Sequence, residues 1–295
     1  MRKQKFALFD GVNYFILIVF ALSCLYPFIY CLSVSISGNR AVITSAVRLF
    51  PIGFSLDSYK IIIQSNRLVY GFMNAVYYTA AVMVFQLIGT LSYGYMLSRK
   101  TFALHKFFNI YTLIPMLFSG GLIPSYILMS KLGFVDSVWA IVMPATISIW
   151  GALMTRTYIH TSIPDSLIES AKIDGYNEIM IFARIIIPLS KTLIAILAVY
   201  AAMGQWNAYF NSLIYIRTPS KQPLQLILAQ MYQTNSVFNM TSLGISSSVV
   251  GSDGLIEMIR MKHALIIVAM LPVFAIFPIL QKYFRKGVML GSIKG

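Results

Sequence analysis

Four of the chain's nine acidic residues stand close together in the sequence: Asp165, Glu169, Asp174 and Glu178. They form a polar island in an otherwise apolar protein. Carboxylates grouped on one short segment can form ion pairs with the basic groups of a partner protein. The alternative is that Glu169 is a solvated helix charge and that Gly175 is an ordinary end to the helix.

The residues around this island predict a short helix that would present the carboxylates. Pro164 suits the first turn of a helix, and Asp165 and Glu169 favour the positive end of the helix dipole. Leu167, Ile168 and Ala171 form an apolar stripe on it. Asp174 and Gly175 supply the turn that stops the helix, and a second amphipathic run follows over residues 176–184.

The other residues with reactive side chains do not indicate catalysis. His105, His160 and His263 are far apart in the sequence, and no pair of them has metal-ligand spacing. The sequence lacks G-x-x-x-x-G-K-[ST], so any ATP hydrolysis must come from another subunit. Cys24 and Cys31 are interpreted as small packing residues. An intramembrane enzyme is the runner-up function from another class, but no carboxylate lies in mid-span to support it.

The composition identifies an integral membrane protein. The 295 residues are 58% hydrophobic and 11% charged, and the mean hydropathy is +0.75. Ordinary globular domains carry about 25% charged residues. The net charge of +14 could indicate nucleic-acid binding, but the basic residues are scattered between apolar segments. Their positions are typical of topology signals in a membrane protein.

Windows without Asp, Glu, Lys or Arg predict six membrane-spanning helices, because about 20 such residues cross the hydrocarbon layer. The windows are residues 12–34, 71–98, 107–130, 137–155, 192–216 and 264–281. The first window is too long for a signal peptide and lacks a clear cleavage site. Pro115, Gly120, Gly121 and Pro124 predict a distortion in the third.

The distribution of basic residues predicts the orientation. Placing the N-terminus in the cytoplasm puts fourteen of the 23 basic residues inside and nine outside, as the positive-inside rule requires. Six spans then return the C-terminus to the cytoplasm, where residues 161–188 also lie. Residues 35–70 and 217–262 form external segments that could meet a soluble partner.

The stretch 161–188 also carries a spaced sequence pattern. It resembles the cytoplasmic coupling loop of ABC importer permeases, which reads E-A-A, three residues, G, nine residues, I-x-L-P. The positions that match are Glu169, Ala171, Gly175, Ile185 and Pro188. Ser170 replaces the middle alanine and Ile187 replaces the leucine, and both replacements keep the helix.

Most of residues 71–295 resemble the maltose-type carbohydrate importer permeases, closest to the branch that serves complex oligosaccharides such as uronic-acid fragments. The likeness includes the run 164–223, which contains Trp206 and Asn207, and also residues 278–284, Gly287 and the end 291–295. It implies one all-α permease domain over residues 1–295. The implied fold has six transmembrane helices and a cytoplasmic coupling helix between spans four and five, as in the type I ABC importer permeases.

The resemblance also implies partners. They are a second, different permease, two ATPase subunits that hold ATP and Mg, an extracytoplasmic solute-binding protein and an oligosaccharide. No cofactor is expected on this chain, and the implied location is the bacterial cytoplasmic membrane. The C-terminal tail, residues 282–295, is of the type that reaches between the ATPases. Its end consists of Gly291, Ser292, Ile293, Lys294 and Gly295.

The resemblance assigns roles within the coupling loop as well. Glu169 and Asp174 would pair with basic groups on the ATPase, and Ala171 would allow its close approach. Pro188 would break the helix and define a hinge. Pro164, Gly175 and Ile185 complete the predicted coupling set.

Polar residues that interrupt the fifth window are candidates for the substrate pathway: Gln205, Trp206, Asn207, Tyr209 and Asn211. Sugar recognition commonly combines an aromatic face with amides. The alternative is that Asn207 and Asn211 join helices and that Trp206 fills space. Weaker candidates in the second window are Gln86, Tyr93 and Tyr95. A permease for a peptide or an anion is the alternative to an oligosaccharide permease.

Overall fold

The computed structural model describes the backbone of residues 8–233 and 254–291. Within these ranges the protein contains helices and no strands, so the predicted all-α class is confirmed. The helices are α1 Leu8–Ser35, α2 Asn39–Ile43, α3 Asp57–Gln64, α4 Asn66–Ser98, α5 His105–Tyr111, α6 Ile114–Leu117, α7 Leu122–Lys131, α8 Trp139–Ala145, α9 Ile149–Ser162, α10 Asp165–Ile173, α11 Glu178–Ile181, α12 Ile187–Leu189, α13 Lys191–Asn207, α14 Phe210–Tyr215, α15 Leu224–Gln233 and α16 Gly254–Gly291. A π-helical turn covers Phe182–Ile186, and a 3₁₀ turn covers Pro219–Lys221.

Three helical stretches in the described ranges are long and apolar enough to cross a membrane: Asp10–Ser35, Asn66–Ser98 and Ile256–Ile276. They contain or overlap the first, second and sixth predicted windows. Two bent helix pairs raise the number to five if each pair counts as one span. The fourth window, residues 137–155, is divided between α8 and α9. Six spans therefore stay a prediction.

The predicted distortion of the third window is present. His105–Leu117 and Leu122–Lys131 meet at 114°. The chain leaves α6 at Phe118, which has an extended backbone. The bend therefore falls next to the glycine pair and the prolines that predicted it.

Contacts along the chain define two compact units, Met1–Val69 with Ile227–Leu271 and Tyr70–Leu226 with Pro272–Gly295. In the described part of the first unit, a buried arginine of α16 forms hydrogen bonds to the segment after α1. The guanidinium of Arg260, only 2% exposed, donates hydrogen bonds to Asn39 Oδ1 and to Ser55 Oγ at 2.8 Å. A buried guanidinium needs acceptors of this kind, because burying a charged group without hydrogen bonds is costly. All but the last residue of the predicted external segment 35–70 thus belong to this unit.

In the second unit, α4 and α9 approach each other closely because glycines line their contact. A Cβ atom on Gly94 would lie 2.5 Å from Thr155 Cβ and 2.8 Å from the carbonyl oxygen of Ala152. A Cβ on Gly151 would lie 2.8 Å from Thr90 Cγ2. Small residues at such a contact are typical of helix packing in membranes. Residues of α4 and α9 are therefore in close contact in this unit.

A polar cluster fixes one end of the second unit. The Asp136 carboxylate accepts hydrogen bonds from Thr218 Oγ1 at 2.6 Å, from the Thr218 and Arg217 N–H groups at 2.9 Å, and from Lys221 Nζ at 3.0 Å. The Thr218 hydroxyl, with these other donors, holds the pKa of Asp136 well below its usual range. Tyr78 of α4 donates its hydroxyl to the Lys221 carbonyl at 2.8 Å. The N-terminal half of α4 is thereby connected to the segment after α14.

The other end of α4 bears Arg99, just past its last residue, and lies against the loop that carries the acidic island. Tyr78 and Arg99 are 21 positions apart, which corresponds to about 31 Å along a helix. The hydrocarbon layer of a bilayer is about 30 Å thick. The two polar ends of this unit therefore have the spacing expected for groups on opposite membrane surfaces.

Candidate functional site

The stretch between α9 and α13 forms a compact loop module. After α9 ends at Ser162, Pro164 is extended, with φ −63° and ψ 136°, and α10 begins at Asp165. Asp174 ends α10, and Gly175 follows with φ +85°. This left-handed conformation is favourable for glycine and strained for a β-branched residue. The predicted start and stop of the helix are confirmed.

The inner face of the module is apolar and packs on the chain's own helices. Ile168 and Ala171 of α10 are buried in one cluster with Ile181 and Ile186, and this cluster includes Ile159 of α9. The prediction that Ala171 allows a partner to come close needs a correction. Its side chain is 6% exposed, so its small size allows α10 to pack closely on its own chain.

The outer face of the module combines acidic groups with large apolar side chains. Glu169 and Asp174 are exposed, and within the described residues neither carboxylate has a hydrogen-bond or ion-pair partner. Ile173 is 87% exposed and Ile179 is 77% exposed. Large apolar groups exposed beside charges at the polar end of a membrane helix indicate a surface that binds another protein. We call Glu169, Ile173, Asp174 and Ile179 the docking face.

A cluster of charges connects this module to α4. The Glu178 carboxylate accepts a hydrogen bond from Tyr95 at 2.5 Å and forms an ion pair with Lys172 Nζ at 2.7 Å. Arg99 Nε lies 3.5 Å from the same carboxylate. Tyr95 and Arg99 come from the end of α4, whereas Lys172 comes from α10. We call these four residues the Glu178 cluster, and it joins the two halves of the module to the end of a spanning helix.

The sequence did not indicate the partners of Glu178. Lys172 and Glu178 stand on different helices on either side of Gly175, so helical periodicity does not pair them. Tyr95 was a weak pathway candidate, but its hydroxyl belongs to this cluster. Tyr93, the other tyrosine candidate, bonds Thr112 Oγ1 at 2.6 Å. Both tyrosine hydroxyls therefore form hydrogen bonds within the protein.

The predicted break near Pro188 is also present. The π-helical turn Phe182–Ile186 precedes α12, and Ser190 separates α12 from α13. The segments Glu178–Leu189 and Lys191–Asn207 meet at 84°. Proline removes a backbone donor, and a π turn is one way for a helix to accommodate that loss. Ile185, the other residue of this part of the pattern, is half-buried against the inner cluster.

The pathway candidates of the fifth window are not one continuous face. Trp206 is 6% exposed and its ring packs on Phe72 at a centroid distance of 6.0 Å. This favours the packing alternative for Trp206. Helix α13 ends at Asn207, and Asn211 belongs to α14, so the two asparagines are not successive turns of one helix. Tyr209 lies in the break and Gln205 is half-buried.

An exposed stripe nevertheless runs along α13. Tyr200, Gly204 and Asn207 are all exposed, and their spacing of four and three residues places them on one helix face. Asn207 Nδ2 donates to the Met203 carbonyl at 2.8 Å. A Cβ atom on Gly204 would meet no atom within 4 Å. Open space thus follows this face of the helix.

The predicted tail contact lies almost wholly outside the described residues. Gly291 is the last residue of α16, and Ser292, Ile293, Lys294 and Gly295 are outside the described ranges. The same holds for the basic residues before position 8 and for residues 234–253 of the external segment 217–262.

Comparison with known proteins relates this arrangement to transport systems. Residues 65–290 match the family described as binding-protein-dependent transport system inner membrane component. The chain is similar to the polygalacturonan/rhamnogalacturonan transport system permease protein YtcP of Bacillus subtilis (strain 168), with 35% identity over 297 residues that cover 99% of this chain and 100% of that protein. It is also similar to the galactooligosaccharides transport system permease protein GanQ of the same organism, with 28% identity over 96% of this chain and 95% of that protein.

A solved structure is similar over nearly the whole chain. It is the crystal structure of a bacterial ABC transporter involved in the import of the acidic polysaccharide alginate. One of its chains superposes with a TM-score of 0.83 at 29% identity, and the match covers 96% of this chain and 99% of that chain.

Proposed function

Because the chain belongs to the family of binding-protein-dependent transport system inner membrane components, we propose that it is the permease subunit through which an ABC importer moves an oligosaccharide into the cell. The observation that carries the proposal is the docking face, placed at the polar end of a helix that has the length of a membrane span. The chain itself carries no ATPase motif. The free energy that drives transport must therefore be supplied by another subunit through direct contact.

The docking face is suited to receive an ATPase subunit. Its two carboxylates would pair with basic groups of the ATPase, while Ile173 and Ile179 would fill apolar pockets on it. Such a contact moves a membrane helix only if it is stronger in one state of the ATPase than in the other. The buried inner face makes the module rigid enough to transmit that difference.

The complete importer would contain further subunits. A second, different permease would complete the membrane channel, and two ATPase subunits would hold the ATP and Mg. An extracytoplasmic binding protein would deliver the sugar to the external segments 35–70 and 217–262. Both termini would be cytoplasmic, and the tail after residue 282 would reach the ATPases.

The substrate class is supported by the relatives. The names of the two permeases given above and of the alginate transporter all specify saccharides. A peptide or a small inorganic anion is not mentioned in any of the three names. We therefore propose an oligosaccharide as the substrate of this chain, with a polygalacturonan or rhamnogalacturonan fragment as the first compound to test.

Reconstitution tests the proposed function directly. Vesicles that contain the complete complex should take up a labelled galacturonate trimer or galactotriose when binding protein is outside and MgATP is inside. Vesicles without ATP should take up neither. Uptake of a peptide, with no uptake of any saccharide, would contradict the substrate class while leaving the family assignment intact.

We expect Glu178→Gln to lower the amount of sugar moved per ATP hydrolysed by roughly threefold to tenfold. The amide keeps the size of the side chain but loses the charge that Lys172 and Arg99 neutralise. The loop could then move without carrying the end of α4. Uptake and hydrolysis should be measured on the same vesicles.

The matched control is Asp57→Asn, which removes the carboxylate of an exposed ion pair with Lys60. Asp57 lies in the external segment proposed to receive the binding protein, so both variants are compared at saturating binding protein, where Asp57→Asn should leave the ratio of uptake to hydrolysis unchanged. An unchanged ratio in Glu178→Gln as well would show that the Glu178 cluster has no part in coupling.

A size series at Gly204 tests the exposed stripe of α13 as part of the pathway. Gly204→Ala should transport normally, because its Cβ would enter open space and alanine favours helix. Gly204→Trp should block uptake while basal ATP hydrolysis and subunit assembly persist, because the bulk would project into the pathway. Normal uptake by the tryptophan variant would place this helix face outside the pathway.

A further inference from the structure

A small cavity lies where α4, α9 and α13 meet. Its volume is about 210 Å³, and the residues that matter here are Gln86, Thr90, Ser148, Trp150 and Tyr200. Pockets for drug-sized ligands are typically about 300–1,000 Å³. This cavity is smaller, so it is suited to one ring of a larger molecule rather than to the whole of it.

The cavity lies inside the span and not at its end. Gln86 is 8 positions from Tyr78 and 13 positions from Arg99, or about 12 Å and 20 Å along the helix. Those two residues belong to the polar clusters at the two ends of the unit. A polar cavity at this depth faces a water-filled route or a protein partner, since polar groups in a span avoid lipid.

The side chains around the cavity have the chemistry that binds a sugar ring. Trp150 and Tyr200 stand with ring centroids 5.1 Å apart and both remain about half exposed. The amide of Gln86 makes no hydrogen bond to any residue that the structure describes. Aromatic faces can contact the C–H surface of a saccharide, while an amide can both donate to and accept from its hydroxyls.

Hydrogen bonds within the protein hold Thr90 and Ser148, which line the cavity, in place without a ligand. Thr90 Oγ1 accepts a hydrogen bond from the Ser148 N–H at 3.0 Å, and Ser148 Oγ accepts one from the Gly151 N–H at 3.1 Å. These bonds cap α9 in the break between α8 and α9 and thereby place Trp150 in the first turn of α9. Tyr200 is also the first member of the exposed stripe on α13. The cavity therefore opens onto the face of the helix that we assign to the pathway.

We propose that Gln86, Trp150 and Tyr200 form a saccharide subsite, in which one pyranose ring of the passing oligosaccharide lies against the two aromatic rings and bonds to the Gln86 amide. This inference rests on the proposed function and goes beyond it, because it assigns direct sugar contact to this subunit. It also replaces Trp206, whose ring is buried in packing, as the aromatic contact predicted from the sequence.

Variants of the complete complex in vesicles test the subsite with a galacturonate trimer and with galactotriose as probes. Gln86→Leu keeps the size of the side chain and removes its hydrogen bonds, and Trp150→Ala removes one ring. Each should raise the sugar concentration for half-maximal uptake, or lower the uptake rate, by about tenfold. Basal ATP hydrolysis and retention of all subunits should stay normal, and Trp150→Phe should restore most of the uptake.

The matched control is Trp139→Ala, which removes a tryptophan that packs on Phe85 and does not line the cavity. Equal losses in Trp139→Ala and Trp150→Ala would overturn the subsite. Wild-type uptake by Gln86→Leu and Trp150→Ala would overturn it too, as would loss of the second permease from either variant. If the wild-type complex imports a peptide and no saccharide, the proposed function fails. If it imports either saccharide and the subsite variants import it equally well, only the subsite fails, so the two failures are distinguishable.

Discussion

The substitution Ile173→Asp is expected to abolish ATP-driven uptake while the permease still folds and inserts into the membrane. The side chain of Ile173 is 87% exposed, so the chain loses almost no packing of its own when it is replaced. In the assembled importer the same side chain would be buried against the ATPase. A carboxylate there would add an unpaired buried charge to the lost apolar contact.

The size of the effect follows from the lost burial of an apolar side chain and from the unpaired charge. Burial of an isoleucine side chain is worth about 1.5–3 kcal/mol, and burying an unpaired charge adds to the loss. The affinity of the ATPase for the permease should fall by roughly a hundredfold or more. The measurement is the fraction of ATPase that copurifies with the permease, together with ATP hydrolysis stimulated by loaded binding protein.

Ile63→Asp is the matched control, because Ile63 is also a strongly exposed isoleucine, at 74%, and lies in the predicted external segment. It should retain the ATPase in full. Full retention and normal uptake in Ile173→Asp would remove the docking face from the coupling mechanism. Loss of ATPase from both variants would indicate a general defect of assembly instead.

Local features of the loop could be predicted from the sequence because they depend on neighbouring residues. A proline before Asp165 and a glycine after Asp174 define where α10 starts and stops, and both limits depend on backbone sterics alone. The distortion of the third window follows in the same way from Pro115 and the glycine pair. Such signals are read correctly without any knowledge of the tertiary structure.

Features that depend on distant segments could not be predicted. The orientation of Ala171 depends on where Ile159 and Ile181 lie, since the same small residue suits either face of α10. The partners of Glu178 come from α4 and α10, and no periodicity in the sequence connects them. The Gln86 cavity likewise gathers single residues from three helices. The sequence makes Trp206 a pathway candidate because aromatic and amide residues are adjacent there, but it gives no sign that Trp206 packs on Phe72.

The contact between α4 and α9 supports both sites, so disturbing it should have a large effect on the whole unit. Gly94→Leu is expected to prevent accumulation of the folded permease or to lower its thermal midpoint strongly. Even a single Cβ atom would lie 2.5 Å from Thr155 Cβ and 2.8 Å from a backbone oxygen of α9. Overpacking a well-packed contact typically costs about 1–3 kcal/mol, and a leucine adds three more carbon atoms beyond Cβ.

The helices could relieve this clash only by moving apart. Separation would break the bond between Thr90 and the Ser148 N–H and would move α9 away from Gln86. Gly94→Ala should therefore lower the thermal midpoint of the purified complex measurably, and Gly94→Leu should lower it further or abolish the yield. Gly204→Leu is the control, since its Cβ would enter open space, and it should keep the midpoint even if it slows uptake. A wild-type yield and midpoint for Gly94→Leu would show that α4 and α9 do not need their close contact.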